Sequence, residues 1–581
     1  MIHYFKVLGR SIREYKKASI LTPLFVSCEV VLECIIPLLM ARMIDQMSGE
    51  SLMPIFQNGI ILLIAAMLSL FCGAMSGRFA ATAGCGFAKN LRKDLFYKIQ
   101  EFSFADIDLF STSSLVTRMT TDVSNVQNAY QMLIRIAIRT PLMLIFSMFM
   151  SFSISVRMSL IFLAIIPVLG VALFGIAIKV FPVFKRIFKR YDALNNSVQE
   201  NLAGIRVVKS FVREPYEQKK FENASEEVRT DFTSVERILA LNSPIMMACI
   251  YTAMLLVSFL GARVIVRSGA TELTTGQLSS LINYGTQILS SMMMLSMVFV
   301  MLMMASECAV RIVEVLEHES SLVSPDNART SVPDGRIDFE HVSFRYKEGS
   351  EQNALSDIDL HIASGQTVGI IGGTGSSKTT LIQLISRLYD VSEGAVRVGG
   401  IDVRDYDLEA LRNEVAVVLQ KNVLFSGTIK ENLRWGKKDA TDEEIRHVCR
   451  LAQADEFISQ FPDGYDTRIE QGGTNVSGGQ KQRLCIARAL LKHPKVLILD
   501  DSTSAVDTRT DALIRRAFAE EIPDTTKLII AQRVASVENA DLILVMDGGR
   551  IIERGTHAEL MALHGIYSEI YEMQTHGTEV A

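Results

Sequence analysis

Apolar positions are distributed in two contrasting ways along this chain. Between Ala18 and Ser306 they form long blocks with few charges, whereas after Cys308 they come in short runs separated by polar, helix-permissive stretches. About 20 helical residues cross the ~30 Å hydrocarbon core of a bilayer. Six segments meet that length, near 18–45, 54–77, 128–155, 158–181, 238–262 and 274–305. Met158–Ile178, Ile238–Ala262 and Leu273–Ser306 carry no charged residue, and the last run is longer than one crossing needs, which predicts a helix continuing past the bilayer. The connections after the first, third and fifth spans are short, and those after the second and fourth are long and polar. Lys and Arg gather in the long ones, at Arg78, Lys89, Arg92, Lys93, Lys98 and Arg118 and again from Lys185 to Arg237. The positive-inside rule makes those loops, and with six spans both termini, cytoplasmic.

The first 17 residues place Tyr4, Phe5, Val7, Leu8 and Ile12 on one helical face and Lys6, Arg10, Arg13 and Lys16 on the other. This predicts an amphipathic interfacial helix over 1–17, and the absence of a short apolar core with a small-residue cleavage site argues against a signal peptide. A six-helix membrane domain is then expected over 18–310, a Ser/Pro/Asp-rich linker over 311–335 and a short tail over 576–581. Within 336–575 the runs "IDFEHVSFRY", "TVGIIGG", "VAVVLQ", "KVLILDD", "KLIIAQR" and "LILVMDGG" alternate with helical stretches, the pattern of an α/β domain with a largely parallel sheet.

Composition agrees with a membrane protein: 49% of the 581 residues are hydrophobic, and the mean hydropathy is +0.25. The net charge of −5, with no long run of like charge, gives no footing for nucleic acid. Eight cysteines (28, 34, 72, 85, 249, 308, 449 and 485) include no CxxC pair and read as small core residues, not as a disulfide framework or zinc site.

The candidate chemistry lies in the second half. "TVGIIGGTGSSKTTLIQLI" is a strand, a Gly-rich turn and a helix. Backbone N–H groups of Gly372, Gly373, Thr374, Gly375, Ser376 and Ser377 are expected to cradle phosphate, Lys378 to reach the β- and γ-phosphates, Thr379 to ligate Mg²⁺, and Thr380 to follow on the helix. Ser377 stands where the strict pattern has its last Gly, a substitution costing roughly 1–2 kcal/mol if that position needs a positive φ. A chance Gly/Ser turn would look similar, but "KVLILDD" supplies Asp500 at a strand end, suited to the same Mg²⁺. "NVSGGQKQRLCIARALL" adds a second phosphate-friendly helix start at Ser477, Gly478, Gly479 and Gln480, with Lys481 and Arg483 close behind.

With these motifs in order, the chain resembles a half-transporter of the ATP-binding cassette (ABC) exporter family over essentially its whole length, and "VSGGQ", Val476 to Gln480, is that family's specific signature. The resemblance implies ATP and Mg²⁺ as cofactors and a location in the bacterial cytoplasmic membrane with the nucleotide domain inside. It also implies a partner chain arranged head to tail, so that each ATP lies between one chain's phosphate loop and the other's signature helix. Tyr346 resembles the aromatic that stacks on adenine, and Gln420 the glutamine that senses Mg²⁺. "DTRIEQGGTNVSGGQ" resembles the segment touching the cytoplasmic helical loops, and "STSAVD", ending at Asp507, the loop joining the two nucleotide sites.

Members that hydrolyse ATP well carry Glu after the strand-ending Asp and His after the next strand; here Asp501 and Gln532 stand in those places. Asp is one methylene too short for the ~2.6–3.2 Å reach of a general base, and Gln relays no proton. Ser377, Asp501 and Gln532 all fall on the phosphate-loop side while the signature is intact. The chain thus resembles the degenerate-site subunit of bacterial heterodimeric multidrug exporters, more than one half of a homodimer, with a small amphipathic or hydrophobic substrate. Two rivals share the motifs: an exporter-fold importer of a small chelator, and an ATP-sensing regulatory subunit.

Glu29 and Glu33 sit one turn apart in the first span, as do Arg135 and Arg139 in the third. Charges at that depth mark either a substrate path or an interhelical ion-pair set. The methionines at 292, 293, 294, 297, 301, 303 and 304 are candidates for an adaptable cavity lining, or for ordinary helix packing.

Overall fold

The computed structural model describes residues 2–47, 52–347, 352–502 and 506–576. The centre of the "STSAVD" segment and the tail beyond 576 lie outside the described residues. Two compact units form: Met1–Gln100 with Thr112–His318, and Glu101–Ser111 with Glu319–Ala581.

The main helices of the first 318 residues are α1 (Ile2–Gly9), α2 (Lys16–Gln46), α3 (Met53–Gln100), α4 (Phe104–Phe110), α5 (Thr112–Ile154), α6 (Val156–Ala203), α7 (Glu214–Leu239), α8 (Asn242–Ser268) and α9 (Thr275–Glu317). Among the described residues six helices are long and apolar enough to cross a membrane, matching the six expected spans. At 1.5 Å per residue the 48 residues of α3 extend about 70 Å, more than twice the hydrocarbon thickness. The long connections read from the sequence are therefore continuations of the spanning helices. Before α2 the chain breaks at Arg13, whose φ is +39°; Val7 and Leu8 of α1 are buried against the unit while Phe5 is exposed.

α5 contains a π turn at Arg118–Asp122. Its carboxylate, Asp122, is buried and accepts both Nε (2.8 Å) and Nη2 (2.6 Å) of Arg311 on α9. Arg118 donates to the Arg311 carbonyl (2.7 Å) and pairs with Glu314 (2.8 Å). All eight cysteines are free; Cys28 and Cys85 are exposed, Cys249 is half-buried and the other five are buried.

In the second unit, strands β1 (Ile337–Phe344), β2 (Leu355–Ile362), β3 (Thr367–Gly372), β4 (Glu393–Val398), β5 (Val415–Val418), β6 (Val496–Asp500), β7 (Thr526–Ile530), β8 (Leu542–Asp547) and β9 (Arg550–Gly555) form two main sheets. The larger runs β9-β8-β3-β7-β6-β5, parallel except for β9, and the smaller is antiparallel around β1. "VLILD" and "TKLII" are buried at every position. Such unbroken apolar runs belong to strands covered on both faces. The covering helices include α10 (Lys378–Ile385), α11 (Gly478–Leu490) and α12 (Thr508–Glu521), and the last described element is α13 (Ile566–His576). α4 belongs to this unit: Ser103 and Asp106 cap it reciprocally, and its Asp108 accepts the Tyr389 hydroxyl at 3.0 Å.

In the membrane unit, α2 and α9 approach backbone to backbone. A Cβ on Gly276 would lie 2.1 Å from the Ala41 carbonyl oxygen. Asp45 accepts the Gly276 N–H (2.8 Å) and the Thr274 hydroxyl (2.7 Å), satisfying donors at the α9 N-terminus. Farther along, Ser280 Oγ donates to the Pro37 carbonyl (2.5 Å) and buried Tyr284 Oη to the Cys34 carbonyl (2.6 Å). Gly276→Ala must push these helices apart, and overpacking of this kind costs about 1–3 kcal/mol. The thermal midpoint of the detergent-solubilised protein should fall by several degrees, whereas Gly59→Ala, with no atom within 4 Å of its would-be Cβ, should not lower it.

Candidate functional site

The parallel strands of the second unit set their carboxyl ends side by side, and the candidate residues emerge there. β3 ends at Gly372, whose φ of +152° and would-be Cβ contact of 2.1 Å with the Met546 carbonyl leave no room for a side chain. The chain then turns through Gly373, Thr374, Gly375 and Ser376 into α10. Ser377 is left-handed, with φ +70°, so the strain expected from its replacing Gly is present. Lys378 Nζ lies within the turn, donating to the Gly372 and Gly373 carbonyls (2.8 Å each) and to Ser376 Oγ (3.1 Å). Burial pulls the Lys378 pKa below the usual lysine range, and Asp500 and Asp501 oppose that shift. Tyr346, on the rim and half-exposed, is within hydrogen-bonding distance of Thr380 Oγ1 (2.9 Å) and packs edge-on against Tyr389.

Register explains how the carboxylates reach this turn. β7 pairs in parallel with both β3 and β6, placing Ile530 beside Ile370 on one side and beside Asp500 on the other. Thr379 Oγ1 donates to Asp500 at 3.0 and 3.3 Å. Asp501 leaves the strand with φ +48°, its N–H bound to the Ile530 carbonyl (3.0 Å). Its carboxylate accepts Gln532 Nε2 at 2.8 Å and is also hydrogen-bonded by Gln420. Burial raises the pKa of both aspartates; Thr379 opposes it at Asp500, and Gln420 and Gln532 oppose it at Asp501. Lys378, Thr379, Asp500, Asp501, Gln420 and Gln532 are thus one connected group.

The signature residues stand apart from that group. Ser477 is the N-cap of α11: its Oγ accepts the Gln480 N–H (3.3 Å) and its own N–H reaches Gln480 Oε1 (2.9 Å). Ser477 and Gly478 are exposed, presenting a 13-residue helix N-terminus to solvent. Arg483, grouped with the signature by its position, points elsewhere: its guanidinium lies 4.6 Å from the Phe457 ring centre and donates to the Gln453 carbonyl at 2.7 Å. Sequence reasoning did not single out Gln482, which is buried and directs Nε2 toward the Asp501 carbonyl at 3.5 Å; the motif's spacing marks the helix start, not this inward face.

In the membrane unit, α5 brings Arg139 to Glu33 of α2, with Nη2 2.7 Å from both carboxylate oxygens, and to 3.6 Å from Glu29. Glu29 is buried, with Ser76 Oγ 3.5 Å away, and a Cβ on Gly73 would lie 3.1 Å from its oxygen. Arg135 lies instead beside Gly77. Met294, Met297, Met301 and Met304 recur at helical spacing on α9 and are all exposed within the single chain, whereas Met292 and Met293 pack on the core.

Comparison with known proteins agrees with this geometry. Residues 20–304 match the ABC transporter transmembrane region and residues 355–504 the ABC transporter family. An uncharacterized ABC transporter ATP-binding protein of Bacillus subtilis strain 168, YfiB, is 37% identical over 550 residues, 94% of each chain. YheI of the same strain, a probable multidrug resistance ABC transporter ATP-binding/permease protein, is 32% identical over 99% of this chain and 98% of its own. A bacterial Atm1-family ABC exporter solved with ATP bound superposes with a TM-score of 0.85 over 97% of this chain and 99% of its own, at 22% identity. This chain therefore belongs to the ABC transporter family, with the membrane and ATP-binding domains of the exporter fold on one polypeptide that couples ATP hydrolysis to transport.

Proposed function

We propose that this chain is one subunit of a heterodimeric exporter in the bacterial cytoplasmic membrane. In this reading it supplies the phosphate loop of a degenerate ATP site and the signature helix of a hydrolytic one. The observation that carries the reading is the 2.8 Å hydrogen bond from Gln532 to Asp501. The residue in the general-base position is the short carboxylate, and amides of Gln532 and Gln420 engage it. Neither amide takes up or relays a proton, so activation of a water molecule is weak on this side. Nucleotide binding keeps its parts: the N–H groups from Gly372 to Ser377 and the Lys378 ammonium hold phosphate, and Tyr346 offers a ring for adenine.

Thr379, Asp500 and Gln420 present the hard oxygen donors that Mg²⁺ prefers. When bound, Mg²⁺ neutralises charge on the phosphate oxygens. Ser477, Gly478, Gly479 and Gln480 serve ATP held by the partner chain.

The substrate class rests on the membrane unit. The exposed methionine face of α9 suits amphipathic or hydrophobic compounds, because thioether side chains adapt their shape at little cost, and the likeness to YheI supports that class. The Arg139, Glu33 and Glu29 group is the candidate polar patch on the path, and Arg135, one helical turn before Arg139, is a further candidate.

The purified chain alone should hydrolyse ATP slowly, and co-assembly with a partner carrying Glu and His in the corresponding places should restore turnover; equal activity of chain and pair would overturn the heterodimer. In the pair, Asp501→Asn should change steady-state hydrolysis by no more than about twofold, whereas removing the partner's base should cost on the order of 10²–10⁴. Ser477→Ala should reduce turnover on the order of 10²-fold, and Lys378→Ala less. Matching losses from Ser477→Ala and Lys378→Ala would mean that the two sites work alike.

A further inference from the structure

Beyond the motifs, the side chain of Gln574 binds the loop that carries Gln532. Gln574, in the last turn of α13, donates Nε2 to the Gln532 carbonyl at 2.9 Å and accepts the Val534 N–H on Oε1 at 2.8 Å. One primary amide thus pairs with a carbonyl and an N–H two residues apart, the exchange a neighbouring strand would make. The helix is anchored independently of that contact. At its start Glu553 accepts the N–H groups of Ile566 (2.7 Å) and Tyr567 (3.1 Å), and the buried Tyr567 hydroxyl lies 2.7 Å from His557 Nδ1. Gln574 itself is exposed and adds nothing to a core. Its two bonds fix the backbone on both sides of Arg533, and so fix the direction from which Gln532 reaches Asp501.

We infer that Gln574 is a positioning residue for nucleotide held by this chain's phosphate loop: α13 sets the backbone of the loop that carries Gln532, and through it the contact of Gln532 with Asp501 and the bound phosphate. The inference concerns only this chain's loop. It holds whether the partner is a second copy or a different chain.

The experiment uses the full-length chain in its membrane assembly, loaded with radiolabelled azido-ATP and Mg²⁺. The complex is chased with unlabelled ATP for increasing times, photo-crosslinked, and separated so that label on this chain is read alone. Gln574→Ala should speed release from this chain about fivefold, the effect of one typical net hydrogen bond. In a Gln532→Ala background the same substitution should add nothing, because the residue acts through Gln532. Hydrogen exchange gives an independent readout: the Val534 amide should exchange faster in Gln574→Ala, whereas Gln574→Glu, which keeps the acceptor and loses the donor, should keep Val534 protected and still speed release. Unchanged release in Gln574→Ala, an equal effect with and without Gln532, or unchanged exchange at Val534 would each overturn the assignment.

Discussion

The hydroxyl of Thr379 bound to the carboxylate of Asp500 is the tie on which the nucleotide domain is organised. It joins the first turn of α10 to the carboxyl end of β6, two elements 121 residues apart in sequence. The tie forms only if β7 lies between β3 and β6 in the observed register, which sets Ile530 level with Asp500 on one side and with Ile370 on the other. Register in turn is held by unbroken apolar strands packed on both faces, where a slip of one residue would turn every side chain, Asp500 included, to the opposite face. The buried strands therefore do more than stabilise. They set the height at which charged groups leave the sheet.

Both units face the same electrostatic problem and answer it differently. In the membrane unit Arg139 and Glu33 remove charge from the apolar surroundings by pairing across α5 and α2. In the nucleotide unit Lys378, Asp500 and Asp501 are gathered at the carboxyl ends of the parallel strands and held by carbonyls, a hydroxyl and amides. Burial acts against the charged form of each. A site under that tension gains from a ligand that brings both anionic phosphate and a cation.

Much of this was legible from residue order. Charge-free runs such as Leu273–Ser306 are long enough to identify their helices, and "VLILDD" and "TVGIIGG" combine apolar runs with polar ends in a way that few strands do. The positive φ at Ser377 followed from the Gly that the motif has there. What stayed hidden depends on partners distant in sequence. Ser103 and Asp106 announce a helix start at α4, but nothing nearby reveals that Asp108 meets Tyr389, 281 residues away. Arg483 follows the signature closely, yet the ring of Phe457 decides where it points. Gln574 is an ordinary polar residue on a short helix, and the Gln532 carbonyl and Val534 N–H that it meets are backbone groups, which leave no trace in composition.

The contacts between α2 and α9 bear on how the chain is made. The bonds from Gly276 to Asp45, Ser280 to Pro37 and Tyr284 to Cys34 close over 231, 243 and 250 residues. During synthesis the first span enters the bilayer long before the sixth emerges from the ribosome. Until then Asp45 lacks the helix terminus it caps in the finished fold, and the seam that accepts Gly276 stands open to lipid. Membrane insertion and completion of the helical unit are thus separate events in time, and the second waits on the last span.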